Sequence, residues 1–318
     1  MLRCCALAAA LLAVQQTQIA PRVAGPLDAL GLQVALDREG FSPGVIDGKP
    51  GRNTARALEA CVRQHGREPD PVPRPLVPYT ITDDDAAGPF VSGIPADLVE
   101  QASLPHLGYT DIVEALAERF HTTPELLRRE NPQSAFASGE TIRVPDVDPF
   151  LVPAPRLEPA GGGESAEGGT GRGGRSQEAP KPDVVVTVSA GSASITVADT
   201  SGRTVFFAPV TTGSSQDPLP QGEWKVTGLQ FSPQFRYNPD LFWDADPSHT
   251  KALLPPGPNN PVGVVWIDLS KEHYGLHGTP EPSRIGRTES HGCVRLANWD
   301  AMRVAGLVKR GTRVVFTP

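Results

Sequence analysis

The run GRTESHGCVRLANWD, Gly286–Asp300, places His291, Gly292 and Cys293 side by side. A thiol is nucleophilic only as the thiolate, and an unperturbed cysteine ionises near pKa ~8.5. A catalytic cysteine therefore needs a base or a cation beside it, and histidine is the usual partner. The last third of the chain offers His249, His273, His277 and His291. His291 is two residues from Cys293, on the same face of an extended chain, although the intervening glycine invites a turn. His277 lies in YGLHGTPEP. A strand ending there would deliver its imidazole from a neighbouring strand directly onto the thiol. Spacing alone leaves both as candidate bases. His249 and His273 lack glycine-rich surroundings and read as ordinary surface residues.

Gly292 has a physical use of its own. Without a side chain it lets a substrate carbonyl approach the backbone N–H groups of Gly292 and Cys293, an arrangement suited to an oxyanion hole. Arg295 alternates with Val294, so in a strand it points the same way as Cys293. It is placed either to hold a substrate carboxylate or to form a structural ion pair. Zinc would accept His277, His291 and Cys293 as ligands, but their spacing fits no compact zinc motif. No metal and no cofactor are expected.

These residues need a scaffold, and the chain is long enough for two or three domains. It has 318 residues, a net charge of −7 and no clustered basic run, which excludes nucleic acid as the main partner. Residues 1–20 read as a signal peptide. Arg3 supplies the positive start, and the apolar stretch Cys4–Val14 is too short to span a bilayer, which takes about 20 helical residues. The protein is expected to be exported to the periplasm or cell envelope, with no membrane span after signal cleavage. Cys61 and Cys293 then remain. Cys61 shares an apolar helical face with Ala57, Leu58 and Val62, whereas Cys293 sits in a polar turn, so no disulfide is expected between them.

Four further segments follow. Residues 27–66 form a small helical module, with one helix stopping at Gly40 and a second capped by Asn53 and ended near Gly66. Residues 79–147 form a small α+β module. There Ile112, Val113, Leu116 and Phe120 line one helical face, Thr123 caps a second helix, and GETIRVP makes a closing strand. Residues 153–183 lack periodicity and read as a flexible linker that lets the last unit move while the front modules stay tethered. Its glycines lack the ending of a phosphate loop. Residues 184–318 are mainly β, from short runs such as VVVTV, ASITVA and GVVWIDL. One helix follows the cysteine, with Asn298 as its expected cap. The expected architecture of this unit is β-sandwich-like. The Pro- and Asn-rich stretch from Leu229 to Pro261 has the length of a lid.

HGTPEPSRIGRTESHGCVRL resembles the signature of L,D-transpeptidases of the YkuD type, and VTTGSSQDPLPQGEW and NNPVGVVWIDL extend the likeness over the last unit. The resemblance implies Cys293 as nucleophile and His277 as general base and acid. It implies that the Gly278 carbonyl orients the imidazole, and that Ser290 and His291 shape the pocket. The implied reaction cuts a peptidoglycan stem peptide before its terminal D-alanine through a thioester, which an amine of a second stem, or a lipoprotein lysine, then takes. Water as acceptor would make an L,D-carboxypeptidase or a hydrolase releasing wall-linked protein. A wall-binding scaffold is the non-enzymatic alternative. Residues 27–66, through Asp47, Gly48, Gly51 and Thr54, resemble a peptidoglycan-binding module. Residues 79–147 resemble a LysM module, interrupted by the insertion DDDAAGPFVSGIPADLVEQASLPHLG. Stem peptides and glycan strands are the implied partners.

Overall fold

The computed structural model describes residues 26–70, 72–154, 156–158, 181–288 and 292–318. The signal segment, most of the expected linker, and Ser290 and His291 lie outside the described residues.

The chain opens with helices α1 (Pro26–Arg38) and α2 (Arg52–His65). Leu32, Leu36, Ala57, Leu58 and Cys61 bury their facing sides, as the apolar spacing predicts. Gly51 caps α2 in place of the expected Asn53, and Gly66 closes it with φ +71°. The Asn53 amide is thereby released to donate to the Ile285 carbonyl at 2.9 Å. Between the helices, Gln33 donates to Asp47, the Lys49 carbonyl and Thr54 at 3.0–3.2 Å, which holds the Asp47–Thr54 turn closed.

Next come β1 (Leu76–Thr80), α3 (Asp83–Ala87), α4 (Leu98–Gln101), α5 (Ile112–Arg119), α6 (Pro124–Glu130) and β2 (Thr141–Pro145). The two strands pair antiparallel. Asp111 and Thr123 cap α5 and α6 by accepting from Glu114 and Leu126 N–H groups. Val113, Leu116, Phe120, Leu126, Leu127 and Ile142 form the core. The long insertion carries α3 and α4.

The remaining strands are β3 (Arg156–Glu158), β4 (Val184–Ser189), β5 (Ser194–Asp199), β6 (Thr204–Pro209), β7 (Gly222–Phe231), β8 (Phe235–Tyr237), β9 (Ala252–Leu254), β10 (Val265–Leu269), β11 (Gly275–His277), β12 (Val294–Arg295) and β13 (Arg313–Thr317), with α7 (Asn298–Leu307) before the last. A β-sandwich is not what forms. One nine-stranded sheet runs β12-β11-β10-β7-β13-β4-β5-β6, with β3 also on β7. β7 makes the single sheet possible. Its ten residues pair with β13 over Gly222–Lys225 and with β10 over Val226–Phe231. The sheet curls around one core, which Ala301, Val304, Ala305 and Val308 of α7 help fill. Each buried valine there contributes about 1.5–3 kcal/mol.

The front segments are not loosely tethered. Phe41 and Phe207 share one apolar cluster, and backbone hydrogen bonds join Gly40 and Ser42 to Phe207 on β6. Arg156–Glu158, expected within the linker, form β3. All three units meet at Asp37 of α1, which is fully buried. Arg303 of α7 grips its carboxylate with two hydrogen bonds at 2.8 and 3.0 Å, and His121 Nδ1 lies 3.2 Å away. The His121 ring stacks on Trp299 at 5.2 Å. Glu118 of α5 makes a second junction, accepting from Tyr109 Oη at 2.6 Å and from the Asn298 amide at 2.7 Å.

Burial pushes the Glu118 carboxyl up to about 7, against the pull of its two donors. The folded state thus keeps a proton that the unfolded chain releases near its ordinary value. The stability this confers is complete below about pH 4.5 and is lost as pH rises through 7. In denaturant unfolding, the stability of the wild type relative to Glu118→Gln should fall by about 2–3 kcal/mol between pH 4.5 and 7.5. A difference that stays flat or rises over that window contradicts a proton held at this junction.

Candidate active site

β11 and β12 run parallel, with Leu276 opposite Val294 and His277 opposite Arg295. Leu276 and Val294 point into the core. By the two-residue alternation of strands, His277 and Arg295 face the other way, and Cys293 directly precedes β12. The thiol reaches the start of β11, where it meets the His273 carbonyl and the Gly275 backbone, two residues before His277. Cys293 is half-buried, and neither it nor Cys61 is in a disulfide. The Cys293 thiol donates to the His273 carbonyl at 3.6 Å.

His277 Nδ1 lies 2.7 Å from the Gly278 carbonyl oxygen. A carbonyl can only accept, so Nδ1 carries the proton and Nε2 keeps its lone pair. Burial, reinforced by the Arg295 charge, takes the His277 pKa down to about 3, against the opposing pull of Gly278. The ring is therefore neutral at any ordinary pH. Burial also raises the Cys293 thiol, partly offset by the Gly275 backbone and by Arg295. The resting pair is a thiol and a neutral imidazole. The Arg295 charge acts on both members in the same sense, favouring thiolate and disfavouring imidazolium. Burial lowers the Arg295 pKa, opposed by the charges of Cys293, Glu281 and Asp244.

Three contacts behind this pair were not anticipated. Trp266, opposite His277 on β10, stacks on its ring at 5.3 Å and 19°. Gly275 makes room for that indole, since a Cβ there would stand 2.5 Å from it. Tyr274 closes the other side, its hydroxyl 3.0 Å from where a Cβ on Gly292 would lie; Gly292 has φ +98°. Lys271 sits 4.8 Å above the Tyr274 ring.

Asn298 is the third. It was expected to cap α7, but Ala297 takes that place and no side chain caps the helix. Instead the Asn298 side chain is wholly buried. It accepts from the Val264 N–H at 3.2 Å and donates to Glu118 at 2.7 Å and the Pro258 carbonyl at 3.1 Å. Its Oδ1 lies so close to Gly278 and Gly263 that a Cβ on either would stand 2.0 Å away. The carbonyl that orients His277 therefore rests on an amide held by α5.

The spacer between His277 and Cys293 is tied down from outside. Asn53 of α2 holds Ile285, and Gly286 N–H donates to Thr211 Oγ1 at 3.0 Å. His249 is not a free surface residue, since it lies 2.9 Å from both Tyr237 Oη and Asp97. That contact pins the Leu229–Pro261 stretch to the α4 insertion, whose Leu98 and Val99 pack with Tyr237 and Leu254. His273 is exposed and contributes its backbone.

Asn298→Ala should lower the unfolding free energy by about 2–4 kcal/mol, because it leaves several buried partners unsatisfied. Denaturant unfolding measures this, and a loss below about 1 kcal/mol contradicts the supporting role.

Residues 183–316 match the family model of the YkuD L,D-transpeptidase catalytic domain. A putative L,D-transpeptidase YkuD of Bacillus licheniformis is 51% identical over 63 residues, covering 20% of this chain and 38% of that protein. Its counterpart in Bacillus subtilis is 25% identical over 207 residues, covering 64% of this chain and 92% of that protein. Among solved structures, L,D-transpeptidase 3 from Mycobacterium tuberculosis, in complex with a faropenem-derived adduct, aligns at 20% identity and a TM-score of 0.36. That alignment covers 43% of this chain and 61% of the other. Residues 183–316 are thus similar to the L,D-transpeptidase catalytic domain, and the chain spans 38% of the Bacillus licheniformis relative.

Proposed function

We propose that the protein is a peptidoglycan L,D-transpeptidase that works through a thioester on Cys293. The observation that carries this reading is the His277 Nδ1 to Gly278 carbonyl bond of 2.7 Å, with Cys293 directly before the strand paired with β11. It leaves Nε2 as the base. Nε2 takes the thiol proton as sulfur attacks the carbonyl between the third stem residue and the terminal D-alanine. The backbone N–H groups of Gly292 and Cys293 receive the developing oxyanion, each such donor contributing about 2.7–4 kcal/mol in the transition state. His277 then gives its proton to the departing D-alanine. The amine of a second stem attacks the thioester, forming a cross-link between third residues and regenerating the thiol. Arg295 would hold a stem carboxylate, and Ser290 and His291 would shape the pocket.

The front segments are read as wall-binding modules, one peptidoglycan-binding-like and one LysM-like, acting outside the cytoplasm. A cleft of about 440 Å³ lies where the second front unit meets the last unit. It runs between Tyr109–Arg128 and the spacer residues Pro280–Arg284. No described helix is long and apolar enough to cross a membrane.

Incubation with tetrapeptide muropeptides, followed by mass analysis, should yield cross-linked dimers and free D-alanine. Cys293→Ser should lower the rate about 10³-fold or more while leaving the fold intact, and His277→Ala should come close to it. A carbapenem should add to Cys293 and to no other residue. Tripeptide products without dimers would make the acceptor water. Full activity in either variant would overturn the assignment.

A further inference from the structure

We propose that Glu39, Cys61 and His65 form a divalent metal site, suited to Zn²⁺, on the face of the α1–α2 pair next to the catalytic sheet. Cys61 and His65 stand one turn apart on α2, so their side chains project from the same face. Glu39 follows the end of α1 and reaches across. Its Oε2 lies 3.6 Å from the Cys61 sulfur and 4.0 Å from His65 Nε2. All three donor atoms lie within 4.8 Å of one another. A tetrahedral zinc ion with bonds of about 2.0–2.3 Å separates its donors by about 3.3–3.8 Å. Small side-chain rotations therefore bring this set onto one ion.

The surroundings match what such a site needs. Arg67 approaches the other carboxylate oxygen, Oε1, at 3.9 Å, leaving Oε2 for the shared centre. The His65 ring meets the edge of Phe41 at 5.4 Å, which orients it. The sulfur is buried, while Glu39 and His65 are 31% and 40% exposed, so an ion has a way in and a fourth position open to water. A cysteine serving only as core filler has no use for a carboxylate and an imidazole converging on its sulfur. Binding would exchange the Cys61 thiol proton, released to solvent, for a metal–sulfur bond. Phe41 also packs on Phe207, so the ion would fasten α1 and α2 where they dock on β6.

The test uses the full chain carrying Cys293→Ser, which removes the other candidate thiol of the described residues, titrated with Co²⁺ and then Zn²⁺. One equivalent of Co²⁺ should give a thiolate-to-cobalt charge-transfer absorption that Zn²⁺ abolishes, and Zn²⁺ should raise the melting temperature. Adding Cys61→Ser should remove the absorption. His65→Ala and Glu39→Gln, at partly exposed positions that leave the core intact, should each weaken binding more than about 10-fold. An absent absorption, or one that persists unchanged in any of these variants, overturns the site.

Discussion

The hydrogen bond from His277 to the carbonyl of the very next residue is the constraint on which the proposed chemistry rests. It settles which ring nitrogen holds the proton, and so which one can take a proton from sulfur. The bond alone would be weak insurance, since Gly278 could rotate away. Asn298 Oδ1 fills the space on which Gly278 rests, and three hydrogen bonds hold that amide. One of them reaches Glu118 on α5, in the second front unit. Orientation of the His277 ring therefore depends on a docked neighbour as well as on the local strand.

The electrostatics follow from the same packing. Water is excluded from His277, so the imidazole stays neutral, and burial keeps the Cys293 proton in place. Arg295, on the same face, favours the thiolate without favouring the imidazolium. This arrangement differs from a preformed thiolate–imidazolium pair, which would need a desolvated cation beside another cation. A neutral pair transfers its proton as the carbon–sulfur bond forms. It also leaves the resting sulfur less open to oxidation, because oxidation follows thiolate character.

The proposed chemistry could be read from the primary structure because its residues lie in local pairs. His277-Gly278 and Gly292-Cys293 are adjacent pairs, and a glycine beside each reactive residue marks a close backbone approach. Helix boundaries at Thr123 and Gly66 were legible for the same reason. The supports were not, because they are tertiary. Asn298 looks like a helix cap until Gly263, Gly278 and Glu118 are brought around it. Asn53 looks like another until the spacer loop arrives beside it. Trp266 read as one more strand residue, and only the β10–β11 register places it on the His277 ring. The expected sandwich failed because alternation along short strands reveals a buried face, but not whether that face closes on a second sheet or on its own curl. The change of partner along β7 decides that. The glycine-rich stretch suggested independent units, yet Asp37, His121 and Arg303, far apart in the chain, lock the three together.

The most direct test of the neutral pair is the pH dependence of Cys293 alkylation by iodoacetamide, followed on the Cys293 peptide by mass spectrometry. A thiol facing a neutral imidazole should react with a rate that climbs through the alkaline range, with an inflection above that of an ordinary cysteine. A rate plateau extending down to about pH 6 or lower is the signature of a preformed thiolate, and would contradict the account.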